Sequence, residues 1–228
     1  MISNIAAAVV IGAVGTTGGT GWLTENVTIG TTTYHLNALP HGVTYTLEFR
    51  DAASRTRLTP YASATAAQLN SLASVKAAGI HFAVSSTLAP LTEPTGALRP
   101  SASPSKYHIN LVLRKSNVSG MSWTNASVSA QRFAWGGDIW ITPEYWSNSH
   151  WISTDPVKNT ADIKNTITHE IGHSIGLDHP KTFKVPAGRA VPVMTPGPSG
   201  GYQSAANGGK FTTYDVVGIN ALVANGGL

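Results

Sequence analysis

One short segment, THEIGHSIGLDHP at residues 168–180, constrains this chain more than any other. His169 and His173 are four residues apart, so on a helix both imidazoles project from one face. Neutral imidazole is a good ligand for zinc, at about 2.0–2.1 Å. Glu170 directly follows the first histidine, so it lies near the same metal and can accept a proton from water there. The spacing predicts a helix that carries two metal ligands and a general base.

His179 is the third candidate ligand, and it cannot join the other two on a continuing helix. The six residues after His173 would carry it roughly 9 Å along the axis and about 240° around it. The helix therefore has to end and the chain has to fold back. Gly176 stands where a left-handed residue ends a helix without a steric penalty from Cβ. Histidines and glycine together predict a three-histidine metal site closed by a turn.

The rest of the chain predicts a single domain of α/β or α+β class over residues 22–228. Strands are expected at 44–50, 80–85, 106–115 and 138–141, and helices at 60–78, from Asp155 through the motif, and after Thr212. Asp155 is a good N-cap, and Asp215 gives the last helix a capping-box start. The helix before the motif has one apolar face, formed by Ile163, Ile167, Ile171 and Ile175. Residues 88–105, 117–137 and 180–206 are expected to be irregular.

Composition excludes several functions. The chain has no cysteine, which rules out disulfides, cysteine nucleophiles and cysteine-ligated zinc fingers. Its net charge of +4 is spread along the chain without a basic cluster, so a nucleic-acid surface has no support. The other five histidines show no paired spacing and are interpreted as surface or hydrogen-bonded core residues.

The first 21 residues allow two interpretations. Residues 5–14 (IAAAVVIGAV) are apolar and have the length of the hydrophobic part of a signal peptide, which is too short to span a bilayer. However, no Lys or Arg precedes Arg50, so the usual positive start is missing. The segment is either a secretion leader or a small-residue N-terminal segment, and we expect a secreted protein without stable membrane insertion.

Residues 168–180 resemble the zinc-binding consensus of the metzincin metallopeptidases, most of all that of matrixins and serralysins. Three further stretches resemble matrixin catalytic domains. VMTP at 193–196 is similar to the Met-turn and the pocket wall after it, GDIWI at 137–141 to the edge strand above the cleft, and 215–222 to the C-terminal helix. The step from His179 to Met194 is longer than is usual in matrixins, and the glycine-aspartate calcium repeats of serralysins are missing.

The resemblance implies a metzincin-like fold with a twisted mixed sheet, an antiparallel edge strand, an active-site helix and a C-terminal helix. It implies a zinc metalloendopeptidase that cleaves peptide bonds with a zinc-activated water, with His169, His173 and His179 as ligands and Glu170 as general base. Gly176 and Met194 would shape the site. An extended substrate would lie along an edge at 137–142, with contacts from Asp138, Ile139, Trp140, Pro196 and Tyr202.

A thermolysin-like site does not fit the sequence. Such a site needs a glutamate ligand further along the chain, and no Glu follows Glu170; the only later side-chain carboxylates are Asp178 and Asp215. Other interpretations of the motif remain open. A non-catalytic zinc domain that binds protein, and a zinc hydrolase of cell-wall peptide, are the alternatives to a protease. The expected partner is a protein or peptide substrate of a monomeric enzyme. A structural calcium ion is compatible with the sequence, but no acidic loop indicates a site.

Overall fold

The structure, a computed structural model, describes residues 26–29, 32–89, 106–115, 118–124, 133–147, 155–180, 190–195 and 207–227. For residues 26–35 and for Trp123 the description is limited to the backbone. The N-terminal segment 1–21, Pro196 and Tyr202 lie outside the described residues, so the predictions made for them stay predictions.

The described residues form three strands, two helices, four strands and a 3₁₀ helix, followed by two helices at the C-terminal end. The elements are β1 (Asn26–Ile29), β2 (Thr32–His35), β3 (Thr44–Phe49), α1 (Ala52–Ser71), α2 (Ala73–Ala77), β4 (His81–Leu88), β5 (His108–Leu113), β6 (Gly120–Thr124), β7 (Gly136–Ile141), a 3₁₀ helix (Pro143–Trp146), α3 (Pro156–Ser174) and α4 (Thr213–Gly226). The α/β character predicted from the sequence is confirmed.

The main sheet has five strands in the order β4-β3-β5-β7-β6. Neighbouring strands are parallel except β6, which runs antiparallel to β7 at the edge of the sheet. β1 and β2 form a separate antiparallel pair. The structure therefore has the mixed sheet with an antiparallel edge strand that we expected, but the edge is formed by different residues.

The prediction that 137–142 forms the free edge is wrong. β7 pairs with β5 on one side and with β6 on the other, and every residue of β7 is buried. Its backbone groups are already used by two ladders, so β7 cannot accept a substrate strand. On this side of the sheet the edge strand is β6, which lies in the stretch 117–137 that was predicted to be irregular.

Helix α1 begins earlier than predicted. Its N-cap is Asp51, whose carboxylate accepts hydrogen bonds from the backbone N–H of Ser54 at 2.7 Å and from its hydroxyl at 2.8 Å. The buried residues Ser54, Leu58 and Ala62 then continue one face of the helix past Pro60. Pro60 is therefore inside the helix rather than at its start. The predicted end is confirmed, because Gly79 has a φ of +64° just after α2.

The helices cover one face of the sheet. α1 packs against β3, β4 and β5, and α3 packs against β6 and β7. Alternate strand residues point toward these helices and are fully buried there: Leu47, Phe49, Ile109, Leu111, Ile139 and Ile141. The site helix α3 is thus seated on the apolar face of the sheet next to its edge strand. None of the helices in the described ranges is both long and apolar enough to cross a membrane.

Candidate metal centre

Helix α3 begins and packs as the sequence predicted. The Asp155 side chain caps it by accepting hydrogen bonds from the backbone of Val157 at 2.9 Å and of Lys158 at 3.4 Å. The isoleucine face predicted for this helix is buried along its full length, at Ile163, Ile167, Ile171 and Ile175. The burial fixes the rotation of α3 on the sheet, and this rotation decides which way the motif residues point.

The C-terminal end of α3 folds back at Gly176. Gly176 has a φ of +99°, its N–H donates to the carbonyl of His173 at 2.8 Å, and the N–H of Leu177 donates to the carbonyl of Gly172 at 3.0 Å. These two bonds and the left-handed residue make a Schellman motif. The predicted turn is confirmed, and it returns the chain so that His179 reaches the other two histidines.

The three predicted ligands converge on one point. The Nε2 atoms are 3.1 Å apart between His169 and His173, 3.2 Å between His173 and His179, and 3.0 Å between His179 and His169. Nitrogens held about 2.05 Å from a tetrahedral zinc would be roughly 3.3 Å apart. The three side chains therefore fit a metal ion of this size, and they form the only such group of His, Asp or Glu found in the described residues.

Hydrogen bonds at the far side of two rings fix their tautomers. The Nδ1 of His169 lies 2.7 Å from the carbonyl of Val193, and the Nδ1 of His173 lies 2.7 Å from the carbonyl of Leu177. A carbonyl only accepts, so each neutral ring carries its proton on Nδ1 and a lone pair on Nε2. Both lone pairs point to the place where the Nε2 of His179 also lies. Such a convergence of imidazole lone pairs is the arrangement that binds a metal cation.

The environment keeps the histidines neutral, as metal ligands must be. Burial is the larger cause and the neighbouring His173 the smaller one; together they lower the pKa of His169 from 6.5 to about 3. The hydrogen bond to the Val193 carbonyl opposes this shift. Burial and the two other histidines lower the pKa of His179 to about 4, against the opposing charges of Asp178 and Glu170. The site therefore disfavours protonation of the histidine nitrogens that would bind a metal.

A tight turn underneath the helix holds the first ligand. The N–H of Thr195 donates to the carbonyl of Pro192 at 3.2 Å, and the buried side chain of Met194 packs against Gly172 so closely that a Cβ at Gly172 would clash with its sulfur. The same turn presents the Val193 carbonyl to His169. The expectation that Met194 shapes the site is consistent with this packing.

Asp215 anchors that turn, and sequence reasoning missed this role. Its buried carboxylate accepts hydrogen bonds from the N–H of Val193 at 3.1 Å and of Met194 at 3.2 Å, in addition to the N–H of Thr212 at 2.7 Å. Burial raises the pKa of Asp215, while these hydrogen bonds oppose the rise. The sequence marks Asp215 only as a helix-capping residue and as one of two side-chain carboxylates after Glu170, and neither signal indicates its bonds to the turn.

Glu170 is buried at 7% exposure beside the histidines, and the edge strand β6 lies directly over it. The hydroxyl of Ser122 in β6 hydrogen-bonds to its carboxylate. Burial raises the pKa of Glu170, while His173, the Ser122 hydroxyl and His179 lower it. Thr124 of β6 donates to the carbonyl of His173 at 2.8 Å. Sequence reasoning missed both β6 residues, because it assigned this stretch to a loop.

The residues of β7 predicted to contact substrate are occupied elsewhere. Asp138 lies on the sheet face away from the helices, where its carboxylate pairs with Arg50 at 3.0 Å. Ile139 is fully buried in the core, and the buried Trp140 is covered by the guanidinium of Arg114 at 3.7 Å from the ring centroid. The structure does not bring these three side chains to the histidine group.

The histidine group and its carboxylate are thus assembled by a capped helix, a left-handed turn and an edge strand.

A scan against protein-family models and a search of curated proteins found no match for the chain. The metzincin assignment stays a prediction from the motif, and the geometry of the site has to carry any functional conclusion.

Proposed function

We propose that the chain is a zinc-dependent metalloendopeptidase of the metzincin type. The observation that carries the proposal is the convergence of three histidine Nε2 atoms, 3.0–3.2 Å apart, beside the buried carboxylate of Glu170. Three histidines and a neighbouring carboxylate that is not needed as a ligand make the donor set of a catalytic zinc site, which leaves one position for water or substrate. A bound zinc ion would activate water and polarise the scissile carbonyl.

The residues of the site have separate roles in metal binding and proton transfer. His169, His173 and His179 would hold the metal, and the carbonyls of Val193 and Leu177 keep the first two rings in the ligand tautomer. Glu170 would accept a proton from water and deliver it to the leaving amine. Burial raises the pKa of Glu170, which makes its carboxylate a better proton acceptor.

We place the substrate along β6 rather than along β7. β6 is an edge strand whose outer side pairs with no other strand in the described residues. It lies directly over the helix that carries Glu170 and His173. An extended peptide that adds to this edge through backbone hydrogen bonds would run past the metal group.

The position of Glu170 also favours catalysis over a purely structural metal. A structural zinc site is usually closed by four protein ligands and has no use for a base. Burying an ionisable carboxylate costs free energy unless charge or hydrogen bonds offset it. Glu170 occupies such a buried position beside the three histidines, which is where a general base would act on water at the metal.

The test compares wild-type protein, Glu170→Gln and the control Glu144→Gln, which removes an equal charge from the 3₁₀ helix. Each is incubated with casein and with peptidoglycan, with and without a chelator. We expect wild type to cleave casein only with metal, and Glu170→Gln to retain zinc while losing roughly 10²–10⁴-fold in rate. The control should match wild type.

Four results would count against the proposal. Cleavage of casein by metal-free protein would remove the metal from the mechanism. Full activity in a folded Glu170→Gln protein would assign the base elsewhere. Cleavage of peptidoglycan alone would replace the protease by a hydrolase of cell-wall peptide, and zinc binding without any hydrolysis would indicate a zinc-containing binding domain.

A further inference from the structure

The inner face of β6 meets the site helix at a place with no spare room. A Cβ added to Gly120 would stand 2.9 Å from Oε1 and 3.0 Å from Cγ of Glu170, and 2.6 Å from the Cγ2 methyl of Thr166. Distances this short require something to move. The absence of a side chain at Gly120 therefore defines the space that the Glu170 carboxylate occupies.

The next inward-facing residue of the same strand fixes the carboxylate by a hydrogen bond. Ser122 lies two residues further along β6, so its side chain shares the face of Gly120. Its hydroxyl bonds to the Glu170 carboxylate. Because an ionised carboxylate only accepts, the hydroxyl donates its proton to it.

A third residue on this face keeps the strand and the helix in register. Thr124 donates its hydroxyl proton to the carbonyl of His173 at 2.8 Å, and both groups are buried. Gly120, Ser122 and Thr124 thus contact successive turns of α3. Movement of Glu170 relative to the ligands is limited by the same strand over which a substrate would lie.

We propose that Gly120 and Ser122 are positioning residues, which hold the Glu170 carboxylate in the orientation required for proton transfer. The proposal rests on the proposed function, because it assumes that Glu170 is the base. The contacts described for both residues are with Glu170 and Thr166, so we expect the effect to fall on the chemical step rather than on metal retention. A base displaced by about 1 Å loses on the order of 10²-fold in rate.

The first experiment measures kcat, KM and zinc affinity in Ser122→Ala. We expect kcat to fall roughly 10- to 100-fold with KM changed less than about threefold, as for a contact that acts in the transition state. Zinc affinity, measured by competition with a chromogenic chelator, should match wild type. Ser122→Thr restores the hydroxyl and should recover most of kcat.

Thr65→Val on α1 is the matched control, because it also removes a hydroxyl that bonds to α3. Thr65 bonds to Thr168 at 2.8 Å, where α1 packs on the site helix. Its replacement should lower the unfolding midpoint at least as much as Ser122→Ala does, and kcat should stay within about twofold of wild type. Equal loss of kcat in both variants would show that general loosening of the helix is responsible, and would overturn the proposal.

The second experiment uses Gly120→Ala, alone and with Thr166→Ser. The added methyl should displace Glu170 and lower kcat. Thr166→Ser removes the methyl that lies nearest to the new Cβ and keeps the hydroxyl that bonds to Tyr145 at 2.8 Å. We expect the double variant to regain stability but not kcat, because the contact with Glu170 remains. Recovery of kcat together with stability would contradict the role of Gly120.

Glu170→Gln separates the failure of this proposal from failure of the function itself. If Glu170→Gln abolishes activity and Ser122→Ala leaves kcat unchanged, the base is correct and its positioning by β6 is wrong. If Glu170→Gln retains activity, the proposed function fails, and with it the premise of the positioning role.

Discussion

Two buried polar clusters lie on opposite faces of the same sheet, and they are built on opposite principles. On the face away from the helices, Arg50 and Asp138 form an ion pair at 3.0 Å, and Asn110 adds a hydrogen bond to the same carboxylate at 3.2 Å. On the helix side, His169 and His173 direct two lone pairs at each other across 3.1 Å. The first cluster balances its own charge, whereas the second brings together groups of one kind.

The difference separates a structural cluster from a binding site. A buried ion pair balances its two charges without a ligand from outside the protein. Converging acceptors are stabilised when a cation joins them, so we expect the histidine cluster, unlike the ion pair, to gain stability on binding a metal. The sequence motif marks the second cluster, while nothing in the spacing of Arg50 and Asp138 distinguishes the first.

Breaking the ion pair should have the largest effect on stability. Asp138→Ala leaves the Arg50 guanidinium buried without its carboxylate partner, and such a loss costs about 3–5 kcal/mol. Urea unfolding would measure the loss. Folded Asp138→Ala protein should still bind zinc with wild-type stoichiometry, because the histidine cluster lies on the opposite face of the sheet from Asp138. Loss of zinc from a protein that remains folded would show that the two clusters are coupled.

A change in pH should alter the stability of metal-free protein through the histidine cluster. The pKa values of His169 and His179 are lowered in the fold, to about 3 and about 4, whereas the unfolded chain binds protons near 6.5. The unfolded state then holds more protons between these values, so the free energy of unfolding should fall as pH falls from about 6.5 to about 4. The comparison is with a His169→Asn/His179→Asn variant, which should show a shallower fall; an unchanged slope would mean that these histidines do not contribute.

Removing one histidine from metal-free protein should have the smallest effect. His179→Ala deletes one member of a cluster that is incomplete without a cation, so we expect a change within about 1 kcal/mol at neutral pH, the worth of one ordinary hydrogen bond. The measurement is again urea unfolding, in the presence of a chelator. A loss as large as that of Asp138→Ala would show that the histidines stabilise the fold without metal.

Much of the site could be predicted because local rules and the tertiary structure agree there. The N-cap at Asp155, the isoleucine face and the left-handed Gly176 each follow from short-range physics, and together they fix where His169, His173 and Glu170 point. The Asp215 link to the turn before Thr195 spans more than 20 residues of sequence, and no local pattern reports it.

The edge strand β6 could not be predicted from the sequence, because its inner face contacts the site helix and not an apolar core. Strand prediction uses alternation of apolar residues, but the inner face of β6 carries Gly120, Ser122 and Thr124. These small and hydroxyl side chains contact the site helix instead of filling an apolar core. Where a strand is shaped around a site, its sequence departs from the pattern that indicates a strand. The expected edge at 137–142 came from the resemblance of that stretch to the matrixin edge strand.

The most direct test is the zinc content and zinc affinity of the chain and of one ligand variant. Wild-type protein and His179→Ala are purified without added metal and measured by elemental analysis, and the metal-free forms are then titrated with zinc. We expect one tightly held zinc per wild-type chain and, for His179→Ala, binding weakened beyond detection at the same concentrations. A wild-type chain that binds no zinc, or equal binding by His179→Ala, would contradict a metal centre formed by these three histidines.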